Sequence, residues 1–93
     1  MRKHGKIDRN QIEIVAALRQ IGAWVQSVAD VGNGCPDLIV AYHGRLFLLE
    51  VKAGDGKLTA AESDWIAGCE RMGGVSVRIV RSAEDALRQI GAI

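Results

Sequence analysis

Two apolar runs, Leu38–Tyr42 and Leu46–Val51, stand on either side of the dipeptide His43-Gly44. A two-residue loop joins antiparallel strands only through a turn with positive φ, which glycine adopts freely and histidine tolerates. The segment therefore predicts a tight β-hairpin. Its apolar residues occupy successive rather than alternate positions, apart from Glu50, so both strands are expected to be buried on two faces, as in a sheet that lies between helices. With 93 residues in all, the chain has room for this sheet and its helices in one domain.

The segments around the hairpin complete an α/β order. From Asp8 to about Ile21, Ile12, Val15, Leu18 and Ile21 recur every three positions with Ile14 beside them, and Asp8 with Gln11 has the form of a helix start. Gly22 closes that helix, and Trp24 to Val28 predicts a strand. Asp30-Val31-Gly32-Asn33-Gly34-Cys35 reads as a mobile loop with positive φ angles, ending at Pro36. Beyond the hairpin, Thr59 and Glu62 form a capping box for a helix over about 60–72, with Trp65, Ile66, Cys69 and Met72 on one face and Gly73-Gly74 as its stop. Val75, Val77 and Ile79 alternate with polar residues into a strand, and Ser82 with Asp85 caps a last helix carrying Leu87 and Ile90. The predicted order is αβββαβα, an α/β domain with a mixed central sheet flanked by helices.

Composition removes several classes of function. A content of 48% hydrophobic and 25% charged residues is that of a globular protein rather than a disordered one. No apolar run approaches the roughly 20 residues that span a bilayer, so no membrane association is expected. The opening Met1-Arg2-Lys3-His4-Gly5-Lys6 runs into polar residues rather than an apolar leader. Cys35 and Cys69 lack the spacing of a zinc site and read as reduced thiols, so the expected compartment is the cytoplasm. Twelve basic and 11 acidic residues balance too evenly for bulk attraction to a polyanion. The bases Arg2, Lys3, Lys6 and Arg9 nevertheless crowd the start against the single acid Asp8, so residues 1–7 form a basic tail that either touches phosphate or is simply solvated.

The hairpin register exposes the chemistry. With His43-Gly44 as the turn and no bulge, Tyr42 faces Arg45, Val40 faces Phe47, and Asp37 faces Glu50. Asp37 and Glu50 then form a non-hydrogen-bonded pair whose Cα atoms lie about 4.5 Å apart, with both side chains on one face. Lys52 shares that face two residues on. Two carboxylates about 5 Å apart repel by about 3 kcal/mol at an effective dielectric near 20, so a positive charge belongs beside them. Either Lys52 alone supplies it in a structural ion pair, or a hard cation such as Mg²⁺ does. Such an ion takes oxygen ligands and keeps waters that a phosphate can displace, with the lysine left to orient the attacking hydroxide.

Pro36-Asp37, a hairpin, and Glu50-Val51-Lys52 on the next strand resemble the signature of the PD-(D/E)XK nuclease superfamily. The run from Asp8 through Gln11 and Glu13, Gly32 to Asp37, Leu49 to Lys52 and the Leu58-Thr59 helix start is similar to the VRR-NUC family, above all its small stand-alone phage and bacterial members. The resemblance covers residues 8–93 and implies a restriction-endonuclease-like fold that uses Mg²⁺ or Mn²⁺. It implies Asp37, Glu50 and the backbone carbonyl of Val51 as metal ligands, and Lys52 as the group that activates or positions water. Glu13 matches the family's first-helix acid, which holds a metal-bound water or a second ion, or is an exposed helical glutamate. Family members usually carry glutamine inside the second helix, where this chain has Glu62, a residue that helix capping already explains. Glu62 and Gln11 are secondary candidates.

Around these groups, Gly34 is a candidate for close approach of backbone to phosphate, with a plain connector as the alternative. Lys57 and Arg45 are candidate DNA contacts, as are Arg78 and Arg81. Trp24 and Trp65 fit apolar patterns and are expected in the core. The expected activity is metal-dependent hydrolysis of DNA phosphodiesters. A homodimer that places two sites on branched or junction DNA is expected, because one small site cuts one strand. The alternative is a non-catalytic DNA-binding module with the same fold.

Overall fold

The hairpin closes as its turn residues require. In the computed structural model, which describes residues 9–93, His43 and Gly44 both have positive φ, 50° and 78°. They join β2 (Leu38–Tyr42) to β3 (Arg45–Val51), with Tyr42 opposite Arg45 and Leu38 opposite Leu49. On the far side of β2 lies β1 (Trp24–Ser27), antiparallel, and on the far side of β3 lies β4 (Val77–Val80), parallel. The sheet is mixed, four-stranded, in the order β1-β2-β3-β4. Three helices, α1 (Arg9–Gln20), α2 (Ala60–Arg71) and α3 (Ala83–Gln89), complete the α/β domain in the predicted order, with one short 3₁₀ turn at Ala29–Val31. The basic tail expected over 1–7 and the cap expected at Asp8 lie outside the described residues.

One face of the sheet carries the core. Val25, Leu38, Val40, Phe47, Leu49, Val51 and Val80 meet Ile14 and Leu18 from α1, Ala86 from α3 and Ile90 just after it. The stripe on α1 differs from the expected one. Gln11, Ile14 and Leu18 are buried, whereas Ile12 and Ile21 are exposed. A helix turns about 100° per residue, so Ile12 and Ile21, nine positions apart, point to opposite sides, while spacings of three and then four keep a face.

The opposite face is only half covered. Its cross-strand rows are Trp24–Ala41–Leu46 and Gln26–Ile39–Leu48–Val77, ending at Glu50 beside Ile79. Trp24 and Leu46 are more than half exposed, so the strands are not buried on both faces throughout. Trp24 is not a core residue, and Trp65 is only half-buried on α2, a helix with no buried residue. The start of α2 is fixed locally. Thr59 Oγ1 accepts from Glu62 N at 3.1 Å and Glu62 Oε1 accepts from Thr59 N at 2.8 Å, the capping box expected of this pair.

The glycine-bearing segment before β2 is exposed from Asp30 to Asn33 and packed from Gly34 onward. Gly34 has φ 85°, and a Cβ there would collide with the Ala61 carbonyl and lie 2.9 Å from Glu62 N. Pro36 is fully buried, Val28 N donates to Asp37 O at 2.8 Å, and Asp37 N donates to Leu49 O at 3.1 Å. Gly34 thus lets the segment that delivers Asp37 press against the first turn of α2, which carries Glu62.

Candidate functional site

Asp37, Glu50, Lys52 and Glu62 meet where β3 ends. Asp37 sits one residue before β2, and its Oδ2 accepts from Val51 N at 2.7 Å, so the carboxylate continues the hairpin pairing after the backbone ladder has stopped. The N–H and C=O of one strand residue point toward the same neighbour. The Val51 carbonyl therefore faces the Asp37 side of β3. Lys52 N donates to Val80 O at 3.0 Å, which continues the pairing with β4 and fixes the backbone from which its ammonium extends. That ammonium lies 2.8 Å from Glu62 Oε1 and 3.6 Å from Glu50 Oε2.

Two carboxyl groups thus meet one ammonium and the third, Asp37, is hydrogen-bonded to Glu50, which is only 3% exposed. Burial is the main cause that raises the Glu50 pKa to about 8, and the Asp37 and Glu62 charges and hydrogen bonding with both add to it. Burial also raises Asp37, against the opposing pull of the Val51 N–H and the hydrogen bond with Glu50. Burial is the largest single influence on Glu62 and Lys52 as well and opposes their charge, but their mutual hydrogen bond together with the neighbouring charges and hydrogen bonds outweighs it, so Glu62 falls below and Lys52 rises above its ordinary value. Near neutral pH the cluster accordingly keeps a proton on Glu50, shared with its neighbours. The Cys35 thiol is raised by its burial and then by the charges of Asp37 and Glu50.

A lone ion pair with Lys52 does not balance this arrangement, since even with a proton on Glu50 one positive charge faces the two carboxylates of Asp37 and Glu62. The donor set of two carboxylates with an adjacent strand carbonyl fits Mg²⁺, which is held by one or two carboxylates and retains several waters. Among the described residues no group of three or more His, Cys, Asp or Glu side chains is disposed to hold a metal by itself. Water must therefore supply the remaining ligands of any ion at Asp37 and Glu50.

The other candidates fall in different places. Glu13 is exposed on α1 and lines a groove of about 430 Å³ with Arg9, Asn10, Ala53, Gly54 and Arg81. Gln11 is buried on the core-facing stripe of α1 and borders a separate groove with Ile12, Val15, Ala16, Arg19 and Ser27. Lys57 is exposed in the loop between Lys52 and α2. Arg45 begins β3, about 17 Å from Glu50 at the usual rise per strand residue, with its guanidinium 5.1 Å from the centre of the Phe47 ring. Gly34 serves the packing of the Asp37 segment on α2, as its blocked Cβ position shows.

Sequence reasoning placed Glu62 second, because the capping box accounted for it. The structure adds the contact with Lys52 through the same oxygen that binds Thr59 N. Sequence reasoning missed Asn10, and it took Arg81 for a DNA contact without foreseeing that Arg81 braces the loop after Lys52. Asn10 Nδ2 donates to Lys52 O at 2.9 Å and to Arg81 O at 3.1 Å, tying α1 to the ends of β3 and β4. The parallel pairing of β3 and β4 is the signal that finds them, since it sets the residues just past both strands side by side. No family model matches the chain, and neither a curated protein nor a solved structure does. No helix among the described residues is long and apolar enough to cross a membrane.

Proposed function

We propose that this chain is a metal-dependent endodeoxyribonuclease of the PD-(D/E)XK type, similar to VRR-NUC proteins, with a restriction-endonuclease-like fold. The observation that carries the reading is the meeting of Asp37, nearly inaccessible Glu50 and Glu62 around Lys52 at the end of β3. A structural ion pair has no use for two further acids. A site for a divalent cation does.

Asp37, Glu50 and the Val51 carbonyl would hold Mg²⁺ or Mn²⁺. When bound, the ion supplies positive charge to the phosphoryl oxygens and lowers the pKa of a coordinated water. The Val51 N–H keeps Asp37 Oδ2 in place, so that carboxylate needs no rearrangement to act. Lys52 is held protonated by Glu62 and stands beside Glu50, where its ammonium orients the attacking oxygen and stabilises the charge that develops on the phosphorane. Glu62 acts as a positioning residue, because it fixes the lysine and the start of α2 with one oxygen.

DNA is the proposed substrate, with branched or junction forms cut by a homodimer in the cytoplasm of a bacterial or phage-infected cell. One site of this size cleaves one strand, and two-fold symmetry supplies the second. Incubation of labelled linear duplex, flap and four-way junction DNA with the purified chain and Mg²⁺ tests the proposal. Faster cutting of the branched forms is expected, and no cutting of any of them contradicts it.

A further inference from the structure

The loop that follows Lys52 has its carbonyl groups turned to internal donors. Asn10 Nδ2 binds Lys52 O, Gly56 N binds Ala53 O at 2.9 Å, and Arg81 Nη1 binds both Gly54 O at 2.8 Å and Gly56 O at 2.9 Å. Carbonyl oxygens repel a phosphate, so this arrangement occupies the acceptors of Ala53 and Gly54 in the wall of a groove, and those of Lys52 and Gly56 beside it. The groove holds about 430 Å³ and is lined by Arg9, Asn10, Glu13, Ala53, Gly54 and Arg81.

Its charge is positive on balance, two guanidinium groups against the single acid Glu13. Among the described residues neither arginine forms an ion pair with a carboxylate, whereas Lys52 and Arg88 do. Arg81 uses Nη1 for the loop carbonyls and leaves Nε and Nη2 to donate elsewhere. Arg9 opens α1, whose first turn has no acidic residue. A cation there opposes the helix dipole. Its position does not serve the helix, but it does add charge to the groove.

We propose that this groove binds a backbone phosphate of the DNA next to the one that is cut, with Arg9 as the direct contact and Arg81 as both contact and brace of the groove wall. The proposal rests on the nuclease reading, and it assigns the path of the strand away from Lys52. The groove is joined to the acid cluster through the backbone, since Ala53 in its wall follows Lys52 and Asn10 in its wall donates to Lys52 O at 2.9 Å.

The test is binding of a fluorescein-labelled branched DNA, followed by anisotropy over a range of salt concentrations. All proteins carry Lys52→Ala so that the DNA stays intact. Arg9→Ala is expected to weaken binding about 3- to 10-fold at low salt and to lower the slope of log K against log salt by about one. Arg9→Lys, which keeps the charge, should retain the slope. Arg88→Ala, which removes an arginine already paired with Glu84, should bind like the parent. A parent that binds DNA while Arg9→Ala shows the same affinity and slope overturns the groove and leaves the nuclease reading standing. Equal losses in Arg9→Ala and Arg88→Ala also overturn it, since bulk charge then explains the effect. A parent that binds none of the DNA overturns both.

Discussion

Replacing Glu50 by glutamine tests whether the acid cluster stores a proton that a cation can displace. In the unfolded chain a glutamate titrates near 4.5, whereas in the fold Glu50 is held up to about 8, first by burial and then by Asp37 and Glu62. Between those values the folded state binds more protons than the unfolded one, so stability falls as pH rises through the window. One proton corresponds to about 1.4 kcal/mol per pH unit, so the loss between about pH 5 and about pH 7.5 is on the order of 3 kcal/mol. Asp37, also raised by burial, acts in the same direction. Glu62, which is lowered, and Lys52, which is raised, lose their contributions only below about 4.5 and above about 10.5, so neither offsets the trend in this window. Glutamine mimics the protonated carboxyl and removes its titration. Urea unfolding in chelator across this pH range should show falling stability for the parent and a nearly flat profile for Glu50→Gln. Mg²⁺ should restore the parent at the upper end and leave the variant unchanged, because the ion takes the place of the proton. A parent whose stability in chelator does not change with pH, or a variant that retains the parent's slope, refutes the reasoning.

Gly34→Ala should destabilise the domain by about 2–4 kcal/mol, because it combines a positive φ with a methyl group forced against the Ala61 carbonyl. A change below about 0.5 kcal/mol in urea unfolding would show that the Asp37 segment does not press on α2. Asp37→Ala should abolish metal-dependent cleavage while circular dichroism remains that of the parent. Glu62→Gln should keep most of the cleavage, since the amide oxygen still accepts from Lys52 and Thr59, where Glu62 accepts at 2.8 Å from each. Loss of cleavage in Glu62→Gln as complete as in Asp37→Ala would instead make the charge of Glu62 part of the chemistry.

The elements were legible wherever local chemistry decides them. The His43-Gly44 turn, the Thr59 and Glu62 capping box and the Ser82 cap are short-range patterns, and each appears as read, with the hairpin register that sets Tyr42 opposite Arg45 and Val40 opposite Phe47. The features that depend on packing were not legible. The core stripe on α1 follows Gln11, Ile14 and Leu18 rather than the isoleucines spaced by three, and a buried glutamine gives no hydrophobic signal. The two tryptophans look like core residues in composition, yet Trp24 lies on the half-covered face of the sheet. Asn10 and Arg81 act through backbone carbonyls distant in sequence, and side-chain types alone do not reveal such contacts. Glu62 could be placed beside Lys52 only once the Gly34 approach had fixed the start of α2.

The most direct test of the central claim is the initial rate of cleavage of a labelled four-way junction by the parent and by Lys52→Ala, each in Mg²⁺ and in chelator, with folding of both proteins verified by circular dichroism. The account predicts cutting by the parent in Mg²⁺ alone. Cutting by folded Lys52→Ala at the parent's rate, or by the parent in chelator, would contradict it.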